Sequence, residues 1–162
     1  HPRVKVLKAG CGVGGHCIAV DPYFLTADIP MESQLIAMAR DINNYKSFWC
    51  AERVENEILK FELKNNRKPV VAMMGLAFKP NIDDLRESPA KHIVSKVLET
   101  CGDAEILIVE PNVPDHPVYK LTDYKTAFEK ADIVAFLVAH DPFKTLPKTE
   151  SKVILDFCGL YK

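Results

Sequence analysis

The sequence predicts an α/β fold in which a long helix precedes a doubly wound parallel sheet. From Met31 to Arg67 no Gly or Pro interrupts a run whose apolar residues recur at steps of three and four. Beyond it lie short, continuously apolar segments, the pattern of strands buried on both faces. Helical patterns separate those segments, and such alternation is the arrangement of a parallel sheet with helical crossovers.

The elements follow in order. "GCGVGGHCIAVD", Gly10 to Asp21, packs four glycines, two cysteines, a histidine and a carboxylate into a loop. "DPYFLTADIP", Asp21 to Pro30, reads as a bend with an apolar patch, and Pro30 suits the first turn of the next helix. Leu35, Ile36, Met38, Ile42, Tyr45, Phe48 and Trp49 then mark one helix of about thirty residues, or two nearly collinear ones. Its apolar surface is more than a small domain covers, so a second subunit is the expected cover; the alternative is a helix folded wholly onto its own domain. "KNNRK", Lys64 to Lys68, ends it as a polar linker, with Asn65 or Asn66 as left-handed cap.

A strand is expected over Pro69 to Phe78, then a helix in "SPAKHIVSKVLETCG" with Ser88 at N-cap, Pro89 at N1 and Gly102 at C′. Further strands are expected at Glu105 to Pro111, Asp132 to Ala139 and Lys152 to Phe157, with a helix near Thr122 to Ala131 and a helical turn near Asp141.

Composition bounds the function. Of the 162 residues 48% are hydrophobic and 27% charged, ordinary values for a globular chain. Twenty-one basic against twenty-two acidic residues leave a formal net charge of -1, so no general field draws in nucleic acid or an anionic membrane, and any anion site is local. The run Ile133 to Ala139 is far shorter than the roughly 20 residues that span a bilayer, and no signal peptide is recognisable; the expected location is cytoplasmic. Cysteines at 11, 17, 50, 101 and 158 form no CxxC pair, which argues against a disulfide framework and a structural zinc site. The chain opens His1-Pro2-Arg3 without Met and reads as a piece of a longer protein.

Two stretches carry candidate chemistry. "GLAFKPNIDDLRESP", after the first strand, lacks the GxGxxG of a dinucleotide turn and is too long for one. It offers Lys79 and Arg86 just past the carboxyl end of that strand, where two cations favour a phosphate; alternatively both pair with Asp83, Asp84 and Glu87. In the opening loop, Gly12, Gly14 and Gly15 permit positive φ and close backbone approach, so backbone amides are able to converge on an anion. Cys17 follows directly, a candidate nucleophile with Asp21 four residues on to handle water or a proton; alternatively Cys17 points into a core behind a tight turn. Cys11, His16, Cys17 and Asp21 lack the paired spacing of a metal site, and no metal is expected. Cys11, Cys50, Cys101 and Cys158 read as buried hydrophobes, Glu110 as a strand-end charge, and His92, His116 and His140 have no recognisable partners.

"HPRVKVLKAGCGVGGHCIAVDPYFL" together with "GLAFKPNIDDLRESPA" closely resembles the UDP-glucose/GDP-mannose dehydrogenase family, and within it the branch that oxidises UDP-N-acetyl-D-mannosamine. The resemblance covers essentially the whole chain. It implies that residues 1–30 are the catalytic-loop end of a central domain, 31–67 the central dimerisation helix and linker, and 68–162 a Rossmann-like UDP-sugar-binding domain. The family's N-terminal NAD-binding domain is not represented, nor are its lysine and asparagine upstream of the nucleophile loop.

Family chemistry is two successive NAD-dependent oxidations, from sugar C6 alcohol to aldehyde to acid. The resemblance makes Cys17 the nucleophile that adds to the aldehyde and Asp21 the carboxylate for water or proton handling. It wraps the glycine loop of Gly12, Gly14 and Gly15 around sugar and phosphates, sets Phe78 and Lys79 against UDP, and points Arg86 toward the NAD site. Arg3 would reach the substrate of a neighbouring subunit in a homodimer, and His16 receives no role. By the same reasoning the chain alone neither binds NAD tightly nor turns over. The readings from other directions are a nucleotide-binding or dimerisation module without chemistry, and the same enzyme class acting on UDP-N-acetylglucosamine or UDP-glucose.

Overall fold

The structure, a computed structural model, describes residues 9–161. The expected bend after the glycine loop is a helix, α1, Asp21–Asp28. Pro22 presets φ in its first turn and Asp21 places a carboxylate where the helix dipole favours one. None of its residues is buried, so it shows no amphipathic period from which to read a helix. Pro30 lies in the turn that follows, and α2 begins at Gln34, three residues later than Met31.

Helix α2, Gln34–Asn65, is a single helix of 32 residues. Asn66 ends it in the left-handed region (φ 51°), its N–H bonded to the Glu62 carbonyl, as the linker sequence predicts. Cys50, Ala51, Val54 and Ile58 are buried, whereas Leu35, Met38, Ile42 and Tyr45 are each more than half exposed. Its own domain therefore covers chiefly the second half of the helix.

Strands β1 (Val70–Met74), β2 (Glu105–Val109), β3 (Ile133–Phe136) and β4 (Val153–Asp156) form one parallel sheet in the order β2-β1-β3-β4. Alternate residues of β1 serve two cores. Val71 and Met73 pack with α2 and with Ile93, Val94 and Val97 of α3, Pro89–Cys101. Ala72 and Met74 pack with Ala127 and Phe128 of α4, Tyr124–Lys130, and with Phe143 of the 3-10 turn Asp141–Thr145. Helices on both faces of a parallel sheet give the doubly wound arrangement the sequence predicts. β1 and β3 are shorter than their apolar runs, because the residues beyond their carboxyl ends turn out of the sheet into loops while remaining buried, as Leu76, Ala77, Leu137 and Val138 do.

Several caps differ from expectation. Ser88 does occupy the N-cap of α3 ahead of Pro89, yet its buried hydroxyl has no partner among the described residues. Gly102 ends α3 in the right-handed region (φ -65°); a Cβ there would lie 2.7 Å from the Leu98 carbonyl oxygen, so close approach requires the glycine. Asp123 caps α4 by accepting from the Lys125 and Thr126 amides. Cys11 and Cys50 are core residues, but Cys101 and Cys158 are only half-buried; burial pushes the Cys158 thiol up to about 12. No helix among the described residues is long and apolar enough to cross a membrane.

Candidate active site

From β1 the chain steps outward to β2, then crosses back to place β3 on the other side of β1. At such a reversal the loops leaving neighbouring strands part and open a crevice at their carboxyl ends, the usual ligand position in open α/β sheets. A cavity of about 580 Å³ lies there. Its walls are Phe78, Lys79 and Asn81 from the loop after β1, Leu137 to Ala139 after β3, and Cys158 to Leu160 after β4, with Gly10 and Gly12 of the opening loop completing it. Lys79 pairs with no carboxylate among the described residues, and its ammonium lies 5.4 Å from the centre of the Phe78 ring.

The glycine loop is pinned to α2. The Asn43 side-chain amide pairs with the Val13 backbone as a second strand would: the Val13 N–H donates to Oδ1 at 2.7 Å, and Nδ2 donates to the Val13 carbonyl at 3.2 Å. Ser47 Oγ donates to the Cys11 carbonyl, the Cys11 thiol to the Leu137 carbonyl beyond β3, and buried Arg40 reaches the Val13 carbonyl. The Val13 amide is thus committed to Asn43 rather than free for an anion. Gly14 packs so tightly that a Cβ would stand 2.2 Å from the Glu87 carbonyl oxygen, and Gly15, at φ 97°, meets the edge of the Phe78 ring. Two stretches far apart in sequence are thereby one surface.

Cys17 is exposed, which decides against the reading that buries it. Its carbonyl accepts from the Val20 and Asp21 amides, so the turn leading into α1 sets exposed Asp21 one turn beyond it. Arg86 makes the pairing alternative. Its Nε and Nη2 grip both oxygens of Asp84, with Nη2 to Oδ2 at 2.6 Å, and the same Nη2 lies 3.3 Å from His16 Nδ1. Arg86 holds the Asp84 carboxyl down to about 2; Asp84 first, and the nearby Cys17 sulfur in addition, raise the already high value of Arg86. Arg3 lies outside the described residues.

Glu110 and His140 are not the bland residues the sequence suggests. Glu110, 4% exposed, accepts from the Leu76 and Ala77 amides at 2.8 and 2.9 Å through Oε2, and from the Asn112 amide at 3.0 Å through Oε1. His140, wholly buried, sets Nε2 3.1 Å from Glu110 Oε2 and Nδ1 3.0 Å from the Asn81 amide nitrogen. Burial pushes Glu110 up, but the His140 hydrogen bond and the backbone amides outweigh it and leave the carboxyl below its usual value. Asn43, Arg40, Asn81, Glu110 and His140 escape sequence reasoning because each acts through one or two backbone groups distant in the chain. The one usable signal is the spacing of Arg40, Asn43 and Ser47, which puts three polar residues on one face of α2.

The family model for the UDP-glucose/GDP-mannose dehydrogenase family, UDP binding domain, matches residues 72–162, and that for the same family's central domain matches residues 1–45. A UDP-N-acetyl-D-mannosamine dehydrogenase of Campylobacter jejuni is 42% identical over 98% of this chain and 38% of its own length. Its counterpart in Escherichia coli (strain K12) is 40% identical over 100% of this chain and 41% of its own length. Among solved structures, a UDP-D-ManNAc dehydrogenase from Pyrococcus horikoshii matches with TM-score 0.74 and 30% identity over 100% of this chain and 38% of that one. The chain thus spans about two-fifths of the length of the curated relatives it matches. With a family model covering more than half of its residues, including the crevice wall of Phe78 and Lys79, the chain belongs to the UDP-glucose/GDP-mannose dehydrogenase family.

Proposed function

We propose that this chain is the substrate-binding and catalytic-cysteine part of an NAD-dependent UDP-sugar 6-dehydrogenase that converts UDP-N-acetyl-D-mannosamine to its uronate. The observation that carries the proposal is the junction of the two stretches: a crevice walled by Phe78 and Lys79 opens against a glycine loop that presents exposed Cys17 and, one turn on, Asp21. Lys79 supplies the charge for a diphosphate and Phe78 an aromatic face for the uridine. The choice of sugar rests on the relatives, which are UDP-N-acetyl-D-mannosamine dehydrogenases by name.

In this reading the Cys17 thiolate adds to the C6 aldehyde, which becomes a thiohemiacetal. Loss of hydride from that carbon leaves a thioester on Cys17, and water positioned by Asp21 hydrolyses it to the acid and the free thiol. NAD supplies the hydride acceptor for both oxidations. Arg86, exposed and held by Asp84 beside His16 next to the glycine loop, is assigned to the cofactor in this reading. The 162 residues on their own are expected to bind the nucleotide-sugar without reducing NAD. The exposed apolar stripe of α2 is, in the same proposal, the face on which a second copy packs.

The test is alkylation of Cys17 by iodoacetamide, read by mass spectrometry, together with calorimetric titration with UDP. Cys17 should label well before buried Cys50, UDP-N-acetyl-D-mannosamine should slow that labelling, and Lys79→Ala should weaken UDP by about tenfold, the worth of one charge-assisted contact. Labelling of Cys17 that saturating UDP-sugar leaves unchanged would reject the catalytic assignment and favour a binding module without chemistry.

A further inference from the structure

We propose that His140 is a positioning residue for the nucleotide crevice: through an unprotonated Nδ1 it fixes the backbone of Asn81, and so holds Phe78 and Lys79 in the wall. The inference rests on the reading of the crevice as the UDP site.

Hydrogen-bond chemistry assigns the tautomer. The Asn81 amide can only donate, so the Nδ1 it meets at 3.0 Å is an acceptor and carries no proton. The ring proton is therefore on Nε2, where it is donated to Glu110 Oε2 at 3.1 Å. The Asn112 side-chain amide, 2.9 Å from Nδ1, is then a second donor to the same nitrogen. The ring is wholly buried, and the Phe143 ring packs against it nearly at right angles, with 5.3 Å between centres.

One imidazole thereby joins the two ends of the loop that leaves β1. At the entry, Glu110 Oε2 holds the Leu76 and Ala77 amides. At the exit, Asn81 sits in the left-handed region (φ 62°), a conformation uncommon outside glycine that asparagine tolerates better than most. There Asn81 is clamped twice: its amide by His140, and its side chain by Asp141, which receives Nδ2 on Oδ2 at 2.9 Å and returns its own N–H to Oδ1 at 2.9 Å. Only Phe78, Lys79 and Pro80 lie between the two anchors, and all three line the crevice. A loop fixed at both ends and bridged by a buried ring presents its lysine without a backbone ordering cost at binding.

The imidazole nitrogens have separate amide mimics, and this makes a test. In His140→Asn the side-chain oxygen can take the place of Nδ1 and accept from Asn81, whereas in His140→Gln the amide nitrogen takes the place of Nε2 and donates to Glu110. Both variants leave a buried group unpaired, so both should melt below the wild-type chain. Calorimetric titration of the 162-residue chain with UDP should find His140→Asn within about threefold of wild type and His140→Gln weaker by about tenfold, the loss of one net hydrogen bond and the order it imposes. Amide hydrogen exchange at Asn81 should follow the same order, slow in wild type and the Asn variant and fast in the Gln variant. Equal affinities in the two variants, or a Gln variant that binds like wild type, would overturn the inference while leaving the UDP site standing. Absence of any UDP heat from the wild-type chain would instead remove the reading on which the inference rests.

Discussion

Gly14 shows how the site is fixed one residue at a time. Its φ is not in the left-handed range, so its need for glycine is steric: a Cβ would sit 2.2 Å from the Glu87 carbonyl oxygen and 2.7 Å from Pro89 Cδ. Glu87 itself holds a left-handed backbone (φ 47°), and Pro89 is locked into the first turn of α3, so neither neighbour yields cheaply. Gly14→Ala should therefore push the glycine loop off α3 and cost about 1–3 kcal/mol, the range of overpacked positions. Gly10→Ala, where nothing lies within 4 Å of a Cβ, should cost little. Urea unfolding of the two variants checks the contrast, and equal losses would show that the loop is not held where Gly14 meets Glu87. The sequence discloses that these glycines allow close approach, but not what they approach, because Glu87 and Pro89 come from the other half of the chain.

At the scale of elements, the first half of α2 meets the glycine loop on one face and leaves an apolar face uncovered. Leu35, Met38, Ile42 and Tyr45 follow spacings of three and four, the a/d seam of two packed helices, and each is more than half exposed. A contiguous apolar seam exposed to water is a candidate interaction surface. On the proposal that a second copy supplies it, the chain should sediment as a dimer, and Met38→Glu with Ile42→Glu should give a monomer that keeps its helical circular dichroism, since neither residue is in the core. A wild-type chain that stays monomeric at tens of micromolar would reject it. The helix and its asparagine cap were legible because a 3.6-residue period sustained over many turns has few competing explanations. Helix α1 was not, since an element with no buried residue leaves no hydrophobic period to detect. Strand positions were legible and their ends were not, because apolar runs such as Asp132 to Ala139 continue past the sheet into buried loops that line the crevice.

Across the whole molecule, the linker after α2 must transmit the position of the long helix to the sheet, and Asp132 is where it does so. Arg67 grips both Asp132 oxygens at 2.9 and 2.7 Å, and the Val70 amide, first in β1, donates to the same carboxylate. The Asp132 backbone bonds in turn to Val70 and Val153, so one residue gathers the helix end, β1 and β4. The Arg67 guanidinium holds its carboxyl below the usual carboxylate value, against burial that would raise it. A native value depressed below the unfolded one stabilises the fold fully above the unfolded value, near pH 4, and the contribution disappears as pH falls through the native value. Because Arg67 is half exposed, solvent screening limits the effect to on the order of 1 kcal/mol. Asp132→Asn, which retains the side chain's shape and an acceptor for the Val70 amide, should be less stable than wild type by about that amount at pH 7, and the gap should close as the pH falls below about 4 and wild type loses its charge. Urea midpoints across that range read the difference directly. A gap independent of pH would mean that the carboxylate acts through shape alone, and that the ion pair does not tie α2 to the sheet.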